Sequence, residues 1–226
     1  MESELDRLVV DEVLDGLPVR EFRSYAGQRH YSGWFFSATM GRLLVYESLL
    51  ELSRLQLADF DHDTVGILGQ PFQLIGADGR RIRRHVPDIL LSGRDGTVTV
   101  VDVKPAYLVE DEKVATIFEW TRLLCARRGW RFEVYTGAAR YPLENIRFLL
   151  GYRRAELVRA DLIHSVLDAV GPSSTLGEVE RRLNGVAPAV IRPVILHLLW
   201  THQLTTNLGV VLGSTSVLDA DRRNRL

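Results

Sequence analysis

One segment, residues 85–106 with the sequence HVPDILLSGRDGTVTVVDVKPA, restricts the fold of this chain more than any other. It contains two short runs of apolar and β-branched residues, 89–91 and 97–101, separated by Arg94-Asp95-Gly96. An Asp-Gly turn between two such runs is typical of a β-hairpin. The sequence therefore predicts two antiparallel strands joined by a short turn.

Charged residues stand at the open end of this hairpin, where apolar residues are expected. Asp88 opens the first strand, and Asp102 and Lys104 end the second. Residues two apart on a strand point to the same face, so Asp102 and Lys104 share one. Because burying an unpaired charge is costly, this face is expected to meet a metal ion, a substrate or an opposite charge. This is the active-site pattern of PD-(D/E)XK nucleases, and a simple ion pair between Asp102 and Lys104 is the structural alternative.

The segments around the hairpin predict a mixed α/β domain. Upstream, the apolar residues of segment 43–58 are spaced as on one face of a helix. Downstream, residues 110–128 show helical spacing and residues 130–136 resemble a strand. A strand, a helix and a further strand in this order predict a right-handed crossover to a parallel neighbour. We therefore expect a mixed sheet flanked by helices, in a first domain that spans residues 1–152.

Residues 153–226 predict a small second domain that is rich in helix. Helical patterns lie at residues 160–170, 175–183 and 188–202. Two short strand patterns follow, at residues 205–206 and 210–212. Three short helices before a β-ribbon are typical of a winged helix. The third helix is apolar along much of its length, which favours docking of a protein over reading of a DNA sequence, although both remain open.

DNA contact in this chain requires a local basic patch, because the formal net charge of the 226 residues is only −1. The best patch follows the turn at Asp78-Gly79 and consists of Arg80, Arg81, Arg83 and Arg84. These arginines are expected either to contact phosphates beside the acids or to form an ordinary solvated loop.

The sequence also predicts the cellular compartment. The single cysteine, Cys125, excludes a disulfide within the chain, fits a reducing cytoplasm and is expected to be a buried, inert thiol. No apolar run approaches the ~20 residues of a membrane span, and the first residues lack a signal-peptide pattern. We therefore expect a cytoplasmic protein without membrane contact.

The acids and the lysine suit metal-assisted hydrolysis of a phosphodiester bond. Carboxylates are hard oxygen ligands that hold Mg²⁺ or Mn²⁺ and leave some waters in place. Asp88 and Asp102 would bind the ion, with the Val103 carbonyl as a backbone ligand. Lys104 would orient or help deprotonate the attacking water and stabilise developing negative charge. Glu51, from the upstream helix, would complete the shell directly or through a water.

Three stretches of the chain resemble a known family. They are YESLLELSRLQLADFDHDTVGILGQPF at residues 46–72, VPDILL at 86–91 and VVDVKPA at 100–106. Over residues 30–137 the chain resembles the TnsA-like endonuclease subunits of heteromeric transposases. The resemblance implies a restriction-endonuclease-like core that cuts double-stranded DNA at the 5′ ends of a mobile element. It also implies two partners, a DDE-type transposase subunit (TnsB-like) that cuts and joins the 3′ ends and an AAA+ ATPase regulator (TnsC-like).

The resemblance also assigns roles to single residues. The acid on the family's first helix falls on Glu51, its metal-binding Asp on Asp88 and its catalytic Lys on Lys104. Glu47, four residues before Glu51 and on the same face of the predicted helix, has a weaker claim. Better-known members have Gln two residues before the Lys, whereas this chain has Asp102, which supports metal binding.

Two other functions remain open from the sequence. The chain could be a nuclease of the same superfamily that acts in DNA repair or phage defence. It could also be a non-cleaving adaptor, in which the acids only shape a core that binds DNA or protein. Retention of the acids and of the lysine argues against the adaptor.

Overall fold

The computed structural model describes residues 5–19 and 31–220. The chain forms two compact units, Met1–Gly137 and Ala138–Leu226, so the division falls before the boundary predicted at residue 152. Within the described ranges, no helix has both the length and the apolar character needed to cross a membrane.

The first unit combines strands and helices along its described residues. The strands are β1 (Gly33–Ser37), β2 (Arg42–Tyr46), β3 (Thr64–Gly69), β4 (Leu74–Asp78), β5 (Arg81–His85), β6 (Ile89–Gly93), β7 (Val98–Val103) and β8 (Arg131–Tyr135). The helices are α1 (Val10–Leu14), α2 (Leu49–Phe60) and α3 (Glu112–Arg127).

Four strands form the central sheet of this unit in the order β3–β6–β7–β8. Strand β6 pairs antiparallel with both β3 and β7, whereas β7 and β8 are parallel. The β6–β7 turn contains Gly96 at a φ of 81°, a conformation that glycine adopts without strain. Helix α3 provides the connection from β7 to β8. The predicted hairpin, the parallel pairing across a helical connection and the mixed sheet are confirmed, and this arrangement fits a nuclease-like fold.

A hydrophobic core lies on one face of the central sheet, and the acids of the strand ends lie on the same face. Its buried members come from α1, the sheet, α3 and the start of β8: Leu14, Leu68, Leu90, Val98, Val100, Cys125 and Trp130. Full burial of such a side chain stabilises the fold by roughly 1.5–3 kcal/mol. Alternate residues of a strand have their side chains on the same face of the sheet. The side chains of Asp88 and Asp102 therefore lie on the same face as those of Leu90 and Val100, two residues away along each strand.

Residues 43–46 form a strand, so the prediction of a helix from residue 43 is wrong for this segment. Strand β2 pairs along its whole length with β1, and this non-local pairing overrides the local helical spacing. Helix α2 begins only after Ser48, whose Oγ accepts a hydrogen bond of 3.1 Å from the Glu51 N–H. Glu47 therefore lies outside the helix, and the predicted shared helical face with Glu51 does not exist.

Strands β4 and β5 form a separate two-stranded ribbon. The pairs run from Leu74 opposite His85 at its base to Asp78 opposite Arg81 at its tip. The indole Nε1 of Trp120 on α3 donates a hydrogen bond of 3.1 Å to the Ala77 carbonyl. This bond fixes the ribbon to the helix that crosses the sheet.

The second unit contains four α-helices and a small antiparallel sheet among its described residues. In chain order the elements are α4 (Arg140–Leu149), α5 (Ile163–Ala169), β9 (Ser174–Thr175), α6 (Leu176–Arg182), α7 (Pro188–Trp200), β10 (Leu204–Thr205) and β11 (Val217–Ala220). The sheet has the strand order β10–β11–β9. Thr175 begins α6 with a capping box, in which its hydroxyl accepts from the Glu178 N–H and the Glu178 carboxylate accepts from the Thr175 N–H.

The second strand of the predicted C-terminal hairpin is wrongly placed at residues 210–212. Strand β11 lies further along the chain, and the backbone around residue 210 is bound by a side chain instead. The Asn145 amide donates to the carbonyls of Leu208 (2.8 Å) and Val210 (2.6 Å), and its oxygen accepts from the Leu212 N–H. The winged helix itself remains a prediction.

Candidate active site

Asp88 stands directly before β6 and is fixed by hydrogen bonds to both neighbouring strands. Its N–H donates to the Val101 carbonyl (3.1 Å), and its own carbonyl accepts from the Gln70 N–H (2.8 Å). One carboxylate oxygen, Oδ2, accepts a short hydrogen bond of 2.6 Å from the Val103 N–H. The side chain is therefore held where β7 ends, as the sequence pattern predicted.

The electrostatic surroundings of Asp88 identify its charged neighbours. Burial, together with the negative charges of Glu51 and Asp102, raises the pKa of this carboxyl from 3.8 to about 8. The hydrogen bond from Val103 and the positive charge of Lys104 act in the opposite direction. Because such effects require charges in proximity, the structure brings the acids and the lysine named from the sequence into one neighbourhood.

Asp102, in β7, is buried and bound by a histidine of the ribbon. The Nε2 atom of His85 lies 2.9 Å from Asp102 Oδ1 and 2.8 Å from Oδ2. Only 1% of Asp102 is exposed, so the carboxylate depends on this contact for compensation of its burial. His85 could not be identified from the sequence, because no spacing rule connects it with a residue 17 positions later on another strand.

Glu51 lies in the first turn of α2 and binds the backbone and side chain that precede the helix. Its Oε2 accepts from the Glu47 N–H (2.8 Å), and its Oε1 accepts from the Ser48 hydroxyl (2.9 Å). An acid at this position stabilises a helix N-terminus, which gives Glu51 a structural role of its own. These two bonds fix the Glu51 carboxylate at the start of the helix.

Lys104 follows β7 at the point where the parallel pairing with β8 ends. Its N–H donates a hydrogen bond of 2.9 Å to the carbonyl of Tyr135, the residue with which Val103 pairs at the end of β7. The backbone of Lys104 is thereby held by the sheet, while its positive charge acts on Asp88.

The donor set of the site suits a hard cation by its chemistry, since it consists of oxygen atoms. Among the described residues, no group of three or more His, Cys, Asp or Glu side chains has a geometry that could hold a metal ion. The carboxylates of Glu51 and Asp102 instead bind Ser48 and His85. The side-chain oxygen Oε1 of Gln70, whose backbone N–H binds the Asp88 carbonyl, is buried and has no hydrogen-bond partner. A cation shared by all the acids would have to replace some of the present hydrogen bonds.

The four predicted DNA-contacting arginines lie at the tip and along the second strand of the ribbon, but they are not equivalent. Arg80, Arg81 and Arg84 are exposed. Arg83 is partly buried, and its Nε donates a hydrogen bond of 2.8 Å to the Asp78 carboxylate. The charge of Arg83 is therefore compensated within the ribbon.

Comparison with known families agrees with this geometry. Residues 61–137 match the family model described as TnsA-like endonuclease N terminal. The chain carries a TnsA-like nuclease domain. The resemblance inferred from the sequence is confirmed over this segment, which contains Asp88, Asp102 and Lys104, whereas Glu51 lies upstream of it. Comparison with curated proteins gives no significant match.

The TnsA-like family implies a nuclease that is related to transposase subunits, with DNA as its substrate and a transposase complex as its setting. The matched segment runs from β3 to β8 and so includes the whole central sheet. Asp88, Asp102 and Lys104 therefore lie in the matched segment, whereas Glu51 lies on α2 immediately before it.

Proposed function

We propose that this TnsA-like protein is a divalent-metal-dependent DNA endonuclease subunit of a heteromeric transposase, which hydrolyses phosphodiester bonds at the 5′ ends of a mobile element. The observation that carries the proposal is the grouping of Glu51, Asp102 and Lys104 around the buried carboxyl of Asp88. Burial and two acidic neighbours keep this carboxyl protonated, and a bound cation would stabilise its ionised form.

The roles of the residues follow from their positions. Asp88, Asp102 and the Val103 carbonyl would hold Mg²⁺ or Mn²⁺, and Glu51 would add a ligand directly or through a water. The ion would supply charge neutralisation at the scissile phosphate and a more acidic water. Lys104 would orient the attacking water, help to take its proton and stabilise negative charge that develops on the phosphate.

The identity of the basic residue supports this role. Lysine and arginine total 28 in the chain, and only Lys104 and Lys113 are lysines. Lysine presents a compact ammonium group on a flexible stem, whereas the guanidinium of arginine is a flat, rigid fork. A lysine beside the acids, in a chain with only one other lysine, therefore fits the orientation of a water molecule and the stabilisation of charge on a phosphate.

The partners are proposed from the family. A DDE-type transposase subunit (TnsB-like) would process the other strand, and an AAA+ ATPase regulator (TnsC-like) would contact the complex. Double-stranded DNA at the element ends would be the substrate, and the exposed arginines Arg80, Arg81 and Arg84 would contact its phosphates.

The second unit is proposed to be a winged-helix-like module that docks protein. Its element order, helix–strand–helix–helix followed by two strands, supports a winged helix. Helix α7 occupies the position of a recognition helix, but its residues from Val194 to Trp200 are buried. Its Arg192 binds the Glu180 carboxylate through Nε (2.7 Å) and a second nitrogen (2.8 Å). Helix α7 therefore offers little to a DNA groove, which supports protein docking.

The decisive experiment measures nicking of element-end DNA in Mg²⁺ by the full chain together with its partner subunits. We expect Lys104→Ala to lose cleavage, because the attacking water is no longer oriented, while Lys113→Ala, the matched control on the exposed surface of α3, keeps it. Equal cleavage by the wild type and Lys104→Ala, or no cleavage by either with all partners present, would refute the proposal.

A second candidate function is the non-cleaving adaptor, favoured by one observation. Glu51 and Asp102 already have protein partners, and the acids do not form a ready metal site among the described residues. The adaptor predicts no binding of Mn²⁺, whereas the nuclease predicts binding that Asp88→Asn weakens. Isothermal titration of the full chain with Mn²⁺ separates the two functions.

A further inference from the structure

Gln70 combines three unusual properties at the end of β3. Its side chain is only 2% exposed, yet its Oε1 has no hydrogen-bond partner. Leaving a buried polar atom unpaired destabilises the folded protein. Its φ is +51°, a left-handed conformation that is uncommon for a residue other than glycine. Strain and an unsatisfied polar group at one position are typical of functional sites.

The strand register places Gln70 beside the acids. The last register pairs join Gly69 of β3 to Ile89 of β6, and Ile89 to Val101 of β7. One residue beyond these pairs on each strand stand Gln70, Asp88 and Asp102. The Gln70 N–H donates to the Asp88 carbonyl (2.8 Å), which continues the pairing of β3 with β6 by one residue.

We propose that the side-chain carbonyl of Gln70 is a further oxygen ligand of the cation at the Asp88–Asp102 site, directly or through a bound water. This inference rests on the proposed function, because it assumes that the acids bind a divalent cation. Amide carbonyls are ordinary ligands of hard cations. A neutral ligand also adds an oxygen atom to the shell without adding another negative charge to a site that already groups three carboxylates.

This role explains why the unpaired oxygen is tolerated. A buried carbonyl that lacks a protein partner is satisfied once a cation or its water binds, so its cost applies only to the metal-free protein. The left-handed backbone agrees with this role, because strained conformations are kept where the position of a functional side chain depends on them. A purely structural glutamine would be expected to pair both polar ends of its amide within the fold.

The test is isothermal titration of the full chain with Mn²⁺ for the wild type, Gln70→Leu and Gln70→Glu. Leucine keeps most of the volume and removes the oxygen, so we expect affinity to fall by about tenfold or more, as when a group that supports a metal site is lost. Glutamate keeps the shape and adds a charge, so we expect tighter binding. Gln73→Leu, at an exposed position three residues later, is the matched control and should bind Mn²⁺ as the wild type does.

The outcomes separate the inference from the proposed function. If the wild type binds Mn²⁺, Asp88→Asn does not, and both Gln70 variants match the wild type, Gln70 is only structural and the inference is wrong. If the wild type itself does not bind Mn²⁺, the proposed metal dependence is wrong as well. Should Gln70→Leu fail to fold, as judged by circular dichroism, the isosteric Gln70→Glu decides, because unchanged affinity in that variant overturns the inference by itself.

Discussion

Replacing Asp88 by asparagine should remove most of the pH dependence of stability of the metal-free protein near neutrality. Burial, together with the charges of Glu51 and Asp102, raises the pKa of Asp88 from 3.8 to about 8 in the folded state. The folded protein therefore holds this proton more tightly than the unfolded chain. The stability that the proton contributes is complete below about pH 4 and is lost as the pH rises through about 8.

The size of the effect follows from the two pKa values. Between them, each pH unit changes the free energy of unfolding by about 1.4 kcal/mol. For a pKa that moves from 3.8 to about 8, Asp88 should lower the stability of the wild type by roughly 3–4 kcal/mol between about pH 5 and about pH 8. Asparagine cannot ionise, so Asp88→Asn should lack this decline and should equal or exceed the wild type in stability at the upper pH.

Urea unfolding in the presence of EDTA, at several pH values, measures this difference directly. Asp95→Asn is the matched control, because Asp95 is exposed in the β6–β7 turn and hydrogen bonds from Thr97 lower its pKa. That control should follow the wild type across the whole range. If Asp88→Asn loses stability with rising pH as steeply as the wild type does, Asp88 is not the buried, acid-surrounded carboxyl that the site requires.

Two further predictions concern the ribbon and the cysteine. Arg84→Ala should weaken DNA binding and lower the slope of log affinity against log salt concentration by about the amount that corresponds to one phosphate contact. Arg83→Ala should leave that slope unchanged, because Asp78 already compensates the charge of Arg83. Equal slopes for Arg84→Ala and the wild type in fluorescence anisotropy titrations would make the ribbon an ordinary surface. Cys125 is 2% exposed and burial raises its pKa to about 12, so a thiol reagent at neutral pH should label it only after unfolding. Rapid labelling of the folded protein would contradict its place in the core.

The hairpin at β6 and β7 was predictable because its determinants are local. The turn residues, the β-branched runs and the acids at the strand ends all lie within residues 85–106, and the register follows from the turn. The same holds for α3 and β8, whose helical spacing and following strand lead to one parallel neighbour. In these segments the local pattern and the tertiary structure favour the same conformation.

The secondary-structure predictions fail where a segment distant in the sequence determines the local conformation. Residues 43–46 have helical spacing, but β1 provides a strand partner that the spacing cannot reveal. Residues 210–212 are β-branched and apolar, but Asn145, more than 60 positions earlier, binds the backbone there. The same limit applies to the site. The fold of the ribbon brings His85 to Asp102, and the register of β3 against β6 brings Gln70 to Asp88.

The charges of the site connect cation binding with DNA binding in the proposed nuclease. Even while Asp88 holds its proton, the negative charges of Glu51 and Asp102 outweigh the positive charge of Lys104 in the metal-free site, and a phosphate that approaches it is repelled. Arg83 cannot offset this charge, because it is bound to Asp78, and the exposed arginines lie at the tip and on the outer positions of the ribbon. A cation bound by the same acids would compensate their negative charge, so that the phosphate is attracted to the site instead of repelled. DNA affinity at the site should therefore rise when the divalent cation binds.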